Sequence, residues 1–383
     1  MGKGRRRPGS ISTGARERAG RWSRGAHSTT PARSAQERVR ESGLRERVGR
    51  GRLGGMKTPR RYALSLLPLA LALAGCVTCR GDESDGIVLS DGTGASAALA
   101  PAVGGRILAF RPAGASGNVF WTPQPGDLVL YGWNNHGGEK TWIGPQARWS
   151  GMAGKGWPPP AFFDQDRYEV LPGATAAGAT LLSPAPEGGD CPLRVERAVS
   201  LTNGVLRVAS RLVPKPGADV PDGADAFIAW SVVQTPFARR VAVRTAPPAR
   251  ILNGEGGADP LPGPAKADGG ILVFDLAAVD GAANAKAYFD ADAIAAELPG
   301  GTLVARRVAT PDDPDPASVP FPEHARAELF AGGLDASPAK RYLELEFTAT
   351  GTRRLIVEYS FLPGVPCDAA LVRPLPAARS TEP

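Results

Sequence analysis

Short apolar runs, broken every few residues by glycine, proline, asparagine or aspartate, recur from about residue 104 to residue 366. This rhythm constrains the fold most. The runs include GRILAF (105–110), NVFW (118–121), DLVLYGW (127–133), AFIAWSVVQ (226–234), GILVFDL (270–276), RYLELEFTA (341–349) and RRLIVEYSF (353–361). Several alternate with period two, as in Leu206/Val208 and Leu343/Leu345/Phe347. Period two is the signature of a half-buried strand. Residues 198–213 (AVSLTNGVLRVASRLV) predict a hairpin that turns at Asn203-Gly204, the favoured pair for a type I′ turn. With 48 Gly and 37 Pro in 383 residues, long helices are disfavoured. The spacing predicts one short helix, at 290–298. More than ten strands without interleaved helices predict an all-β fold, a large antiparallel β-sandwich with few short helices, as one domain over 104–366. Residues 367–383 read as a C-terminal tail.

Charge separates the ends from this domain. The first 61 residues carry more than the whole net charge of +7, and the remainder is mildly acidic. A nucleic-acid partner is therefore not expected. Residues 1–55 are rich in Arg, Gly and Ser and hold too little apolar surface to fold alone. At Met56 a positive stretch (Lys57, Arg60, Arg61) meets an apolar run that ends at Leu73-Ala74-Gly75-Cys76. This is the layout of a secretory signal. Its ending resembles the bacterial lipobox, which implies a signal peptide over 56–75 and lipidation of Cys76. Translation is then expected to start at Met56, with 1–55 a disordered, untranslated stretch. The small, polar residues 76–103 read as a flexible tether. Val77 follows the cysteine, so the expected location is the outer membrane, facing the periplasm. A Cys191–Cys367 disulfide is permitted there, though spacing does not select it.

The chemistry-bearing residues concentrate in NNHGGEKTWIGPQARWSGMAGKGWPPP (134–160). This loop-like segment carries Asn134, Asn135, His136, Lys140, Trp142, Gln146, Trp149 and Trp157. No nucleophile elbow, phosphate loop or metalloprotease motif occurs. Three histidines and scattered cysteines make no zinc pattern, and the acidic stretch 310–316 lacks EF-hand spacing. No metal and no cofactor are expected.

Four places resemble the galactose-mutarotase-like supersandwich, the fold of aldose 1-epimerases, and more narrowly an uncharacterised bacterial lipoprotein family of that fold. They are GGRILAFRPAGASGNVFW, the HGG…W…PQ…W…WPPP segment, AWSVVQTP and RYLELEF, together spanning roughly 104–362. The resemblance implies that His136 is the histidine of the His-Gly-Gly motif and that Glu344 is the catalytic base. The second histidine that active mutarotases use as an acid has no counterpart near residues 226–236; His324 lies far downstream.

A carbohydrate is therefore the expected ligand. Trp142, Trp149 and Trp157 would face the sugar ring, and Arg106, Asn135, Lys140, Gln146 and Gln234 its hydroxyls. Non-catalytic binding is the first expectation. An aldose-1-epimerase-like isomerase using His136 and Glu344, and a structural envelope lipoprotein, are the alternatives. The competing structural roles are plain: tryptophans as caps of the core, His136 as a satisfied structural histidine, Arg106 paired to an acid, and Glu344 or Glu346 on a solvated strand face.

Overall fold

The computed structural model describes residues 86–124, 129–130, 133–187, 191–218, 227–246, 248–253, 258–279, 283–310, 325–350 and 354–373. Cys76, the signal segment, Cys79 and His324 lie outside them.

Two ten-stranded sheets form the all-β sandwich, as expected. The first runs Ile87–Ser90, Ser96–Ala100, Arg106–Arg111, Glu139–Gly144, Ile228–Pro236, Tyr342–Thr350, Ala327–Gly332, Ala285–Phe289 and Ile251–Asn253. Asp259–Pro260 adds a short parallel pairing to Ala285–Phe289. The second runs Lys266–Asp268, Ile271–Asp275, Arg240–Thr245, Ala291–Leu298, Gly301–Val308, Leu355–Pro363, Val205–Pro214, Leu193–Thr202, Gly178–Leu182 and Glu169–Val170. The hairpin Leu193–Thr202/Val205–Pro214 turns at Asn203 (φ 53°) and Gly204 (φ 76°), the two left-handed positions a type I′ turn requires.

One apolar core fills the space between the sheets, and period two supplies it. Leu206, Val208 and Leu212 point inward with at most 1% of their surface exposed. Burying each such side chain contributes about 1.5–3 kcal/mol. Polar groups also cross the gap. Arg197 on the second sheet pairs with Glu139 on the first, and both side chains are fully buried. Ser231 Oγ lies 3.3 Å from Glu139 Oε1 and 3.2 Å from the Tyr359 hydroxyl, and Thr141 Oγ1 lies 2.8 Å from Ser210 Oγ. Burial raises the Glu139 pKa, and Arg197 opposes that rise.

Several sequence expectations are corrected. Residues 290–298 are not a helix: Ala291–Leu298 is a strand. Ala293 and Ala295 pack with Cys367, Ala370 and Leu371 of a C-terminal helix, while Ile294 and Ala296 enter the main core. A strand buried on both faces loses its alternation and reads as helix. That C-terminal helix, Cys367–Val372, lies in the stretch expected to be a tail. The expected tether contains two strands, Ile87–Ser90 and Ser96–Ala100. NVFW forms bends and no strand. Cys191 and Cys367 are free, buried thiols in separate clusters, so they form no disulfide with each other.

Candidate functional site

The segment 134–160 is not a loop throughout. Glu139–Gly144 is a strand in the middle of the first sheet, and all six of its residues are buried. Two glycines set its entry. Gly137 and Gly138 both have positive φ, 73° and 68°. A Cβ on Gly138 would stand 2.3 Å from the Ile107 carbonyl oxygen. The backbone N–H of Gly138 donates to the Trp121 carbonyl at 2.8 Å, and its carbonyl accepts from the Gln234 N–H at 2.9 Å. The His-Gly-Gly stretch is therefore a backbone device that sets where Glu139 and Lys140 begin.

Alternation then divides the strand. Glu139 and Thr141 face the second sheet, as their hydrogen bonds show. Lys140 and Trp142 face the opposite side. Trp142 pairs across with Trp230, and Lys140 with Val232. The next strand continues this face: Val232 opposes Glu346 and Gln234 opposes Glu344. Beyond it, Glu346 opposes Glu328 and Glu344 opposes Phe330.

Asp164 organises the tryptophans, and the sequence reading missed it. Its carboxylate is completely buried and ion-paired to Arg106 at 2.6 Å. It accepts the indole N–H of Trp133 at 2.6 Å and of Trp142 at 2.7 Å, and it accepts from Gln165. Gln165 Oε1 accepts in turn from His136 Nε2 at 3.1 Å. Burial lowers the His136 pKa, and nearby Arg106 lowers it further. The available signal was chemical: buried indoles need an acceptor, and Asp164 is the first acid after WPPP.

The structure thus distributes the expected site residues over two places. Arg106, Trp142 and Trp149 belong to the packed layer around Asp164. Trp149 is wholly buried and donates to the Ile143 carbonyl at 2.7 Å. Trp157 is 38% exposed and packs edge-on against Trp133. Gln146 is exposed and reaches the Gly156 carbonyl. Asn135 accepts from the Gly137 N–H through Oδ1, while its buried Nδ2 has no hydrogen-bond partner among the described residues.

The second place gathers Lys140, Gln234 and Glu344. Gln234 Nε2 donates to Glu344 Oε1 at 2.7 Å, and Lys140 Nζ lies 3.6 Å from the same oxygen. The Lys140 side chain is fully buried and that of Glu344 is 12% exposed. Lys140 Nζ stands 4.8 Å from the Trp142 ring centroid and 5.7 Å from that of Trp133. Burial pulls its pKa down to about 8; Glu344 opposes this and Arg106 adds to it. Lys140 Nζ and Gln234 Oε1 are both buried and have no hydrogen-bond partner among the described residues. Beside them, Trp121 leans on Tyr342 at 4.8 Å between ring centroids, and Phe330 lies 6.2 Å from Tyr342. Trp121 and Phe330 are part-exposed. Neither stands out in the sequence, because each lies in an ordinary apolar run.

Further along this face, Lys286 Nζ lies 3.5 Å from Glu328. Glu346 accepts the Trp230 indole N–H. Burial raises the Glu346 pKa well above the carboxylate range, and the Glu328 and Glu344 charges raise it further. Among the described residues no cluster has the make-up of a metal site.

No known protein family and no curated protein matches the chain. Solved structures do. A galactose mutarotase related enzyme from Lactobacillus acidophilus is 9% identical over 73% of this chain and 97% of that one, with a TM-score of 0.47. A galactose mutarotase-like protein from Clostridium acetobutylicum is 11% identical over 72% and 94%, with a TM-score of 0.40. A 4-alpha-glucanotransferase from Thermococcus litoralis is 12% identical over 73% of this chain and 38% of that one, with a TM-score of 0.39. Two of the three carry the galactose-mutarotase description to which the sequence resemblance led. No residue role is carried over from them.

Proposed function

We propose that this protein is a cell-envelope lipoprotein that binds a carbohydrate, without catalytic turnover, at the face built by Lys140, Gln234 and Glu344. One observation carries the binding reading. Lys140 Nζ, 3.6 Å from Glu344 Oε1, and Gln234 Oε1, whose own amide nitrogen donates to that same Glu344 oxygen, are both buried and lack a hydrogen bond among the described residues. Leaving such groups unmatched costs about 1–3 kcal/mol each. A hydroxyl both accepts and donates, so the hydroxyls of a polyol meet both needs. The part-exposed rings of Trp121 and Phe330 supply apolar surface of the kind that a sugar ring covers. The envelope location and the lipid on Cys76 rest on the lipobox-like sequence.

The isomerase alternative would use Glu344 and His136. His136 Nε2 is engaged by Gln165, which ties it into the Asp164 network and favours binding over ring opening.

Calorimetric titration of the purified protein with methyl glycosides tests the reading. Saturable binding that Gln234→Leu weakens at least about tenfold, the effect of stranding one polar contact, supports it. Absence of binding across the panel overturns it.

A further inference from the structure

We infer that the Lys140 amine captures an aldehyde or ketone as a reversible imine beside Glu344, the open-chain carbonyl form of a polyol being the class of ligand it takes. The inference deepens the carbohydrate reading and rests on it for access of a ligand to this face.

The geometry sets Lys140 apart from an ordinary lysine. Lysine normally buries its stem and keeps its nitrogen in water. Here the whole side chain is buried, between the Trp142 and Trp133 rings. Among the described residues its one charged contact within 4 Å is Glu344, and that contact is too long for a hydrogen bond. No neighbour among the described residues accepts its N–H groups. Glu344 is the more exposed member of the pair, so the carboxylate rather than the amine borders solvent.

Electrostatics supports the same conclusion. Burial and Arg106 bring the pKa of Lys140 to about 8, against 10.5 for an unperturbed lysine. At pH 7.5 its neutral fraction is then roughly two orders of magnitude above that of a surface lysine. A desolvated amine near a second cation is one of the general ways proteins prepare lysine for imine chemistry.

The step balances without an oxidant or a reductant. The neutral nitrogen attacks the carbonyl carbon, a C–N bond forms, and the C=O π electrons move to oxygen. The nitrogen loses a proton and the oxygen gains one, giving a carbinolamine. Glu344, 3.6 Å from Nζ, is placed to carry that proton. Gln234 Oε1 is the free acceptor for the carbinolamine hydroxyl. Protonation of that hydroxyl and loss of water leave the C=N bond, and hydrolysis returns amine and carbonyl.

The test uses the full-length purified protein, glycolaldehyde and sodium cyanoborohydride at pH 7.5, with peptide mass spectrometry to locate the alkylated lysines. The expected result is alkylation of Lys140 at least about tenfold faster than of the exposed Lys155, Lys266 and Lys340. A methyl glycoside, which has no free carbonyl, protects Lys140 and leaves the surface lysines unchanged. Glu344→Gln slows Lys140 and leaves Lys155 unchanged. Lys140 alkylated no faster than the surface lysines, while methyl glycosides still bind, overturns the capture site and leaves the binding reading intact. No glycoside binding and no selective alkylation overturns both.

Discussion

Trp133 and Trp142 donate their indole N–H groups to opposite oxygens of the Asp164 carboxylate, at 2.6 and 2.7 Å. Their rings meet edge to face, with centroids 6.1 Å apart. One carboxylate thereby fixes two rings of the tryptophan layer and also neutralises Arg106, which is wholly buried. Asp164→Asn replaces one accepting oxygen by a donor and leaves Arg106 uncompensated. Breaking a buried pair from one side costs about 3–5 kcal/mol. Urea denaturation of the variant should show a loss of that size. A loss under about 1 kcal/mol would contradict the role of Asp164 as organiser of this layer.

Glu346 makes a stability prediction of opposite sign. Its folded pKa is raised by burial and by Glu328 and Glu344. The folded protein therefore holds this proton to higher pH than the unfolded chain does. Stability contributed by Glu346 falls as pH rises above the ordinary carboxylate range. Glu346→Gln keeps an oxygen for the Trp230 N–H and removes the titration. Its stability relative to the parent should increase as pH rises above the ordinary carboxylate range in parallel urea titrations. A difference independent of pH would sink the assignment.

Gly138 is the third test. A side chain there meets both a left-handed φ of 68° and the Ile107 carbonyl oxygen at 2.3 Å. Strain at such a position costs about 1–3 kcal/mol. Gly138→Ala should lower stability by at least that much, seen as a shifted thermal midpoint. An unshifted midpoint would show that the entry to Glu139–Gly144 is less constrained than described.

The fold was readable where polar and apolar residues alternate along a strand. Leu206/Val208 and Leu343/Leu345/Phe347 alternate, and the structure places them in strands. It was unreadable where small apolar residues occupy both faces. Ala291–Leu298 is covered outside by Ala370 and Leu371, and its small residues mimic a helix. Glu139–Gly144 hides for a different reason. Its charges are buried and matched by residues distant in sequence, Arg197 and Glu344, which no local pattern reveals. The same distance concealed Asp164, and it made Trp142 and Trp149 look like ligand-facing rings when they are packed inside. Gln234 and Glu344 were named separately from the sequence, and the strand register places them opposite each other.

The central claim is that a hydroxyl-bearing ligand completes the Lys140–Gln234–Glu344 arrangement. The most direct measurement is intrinsic tryptophan fluorescence of the purified protein titrated with methyl glycosides, for the parent, Trp121→Phe and Gln234→Leu. The account predicts a saturable change in the parent, smaller in amplitude for Trp121→Phe, and an affinity at least about tenfold weaker for Gln234→Leu. A flat titration in the parent, or an affinity that Gln234→Leu leaves unchanged, contradicts it.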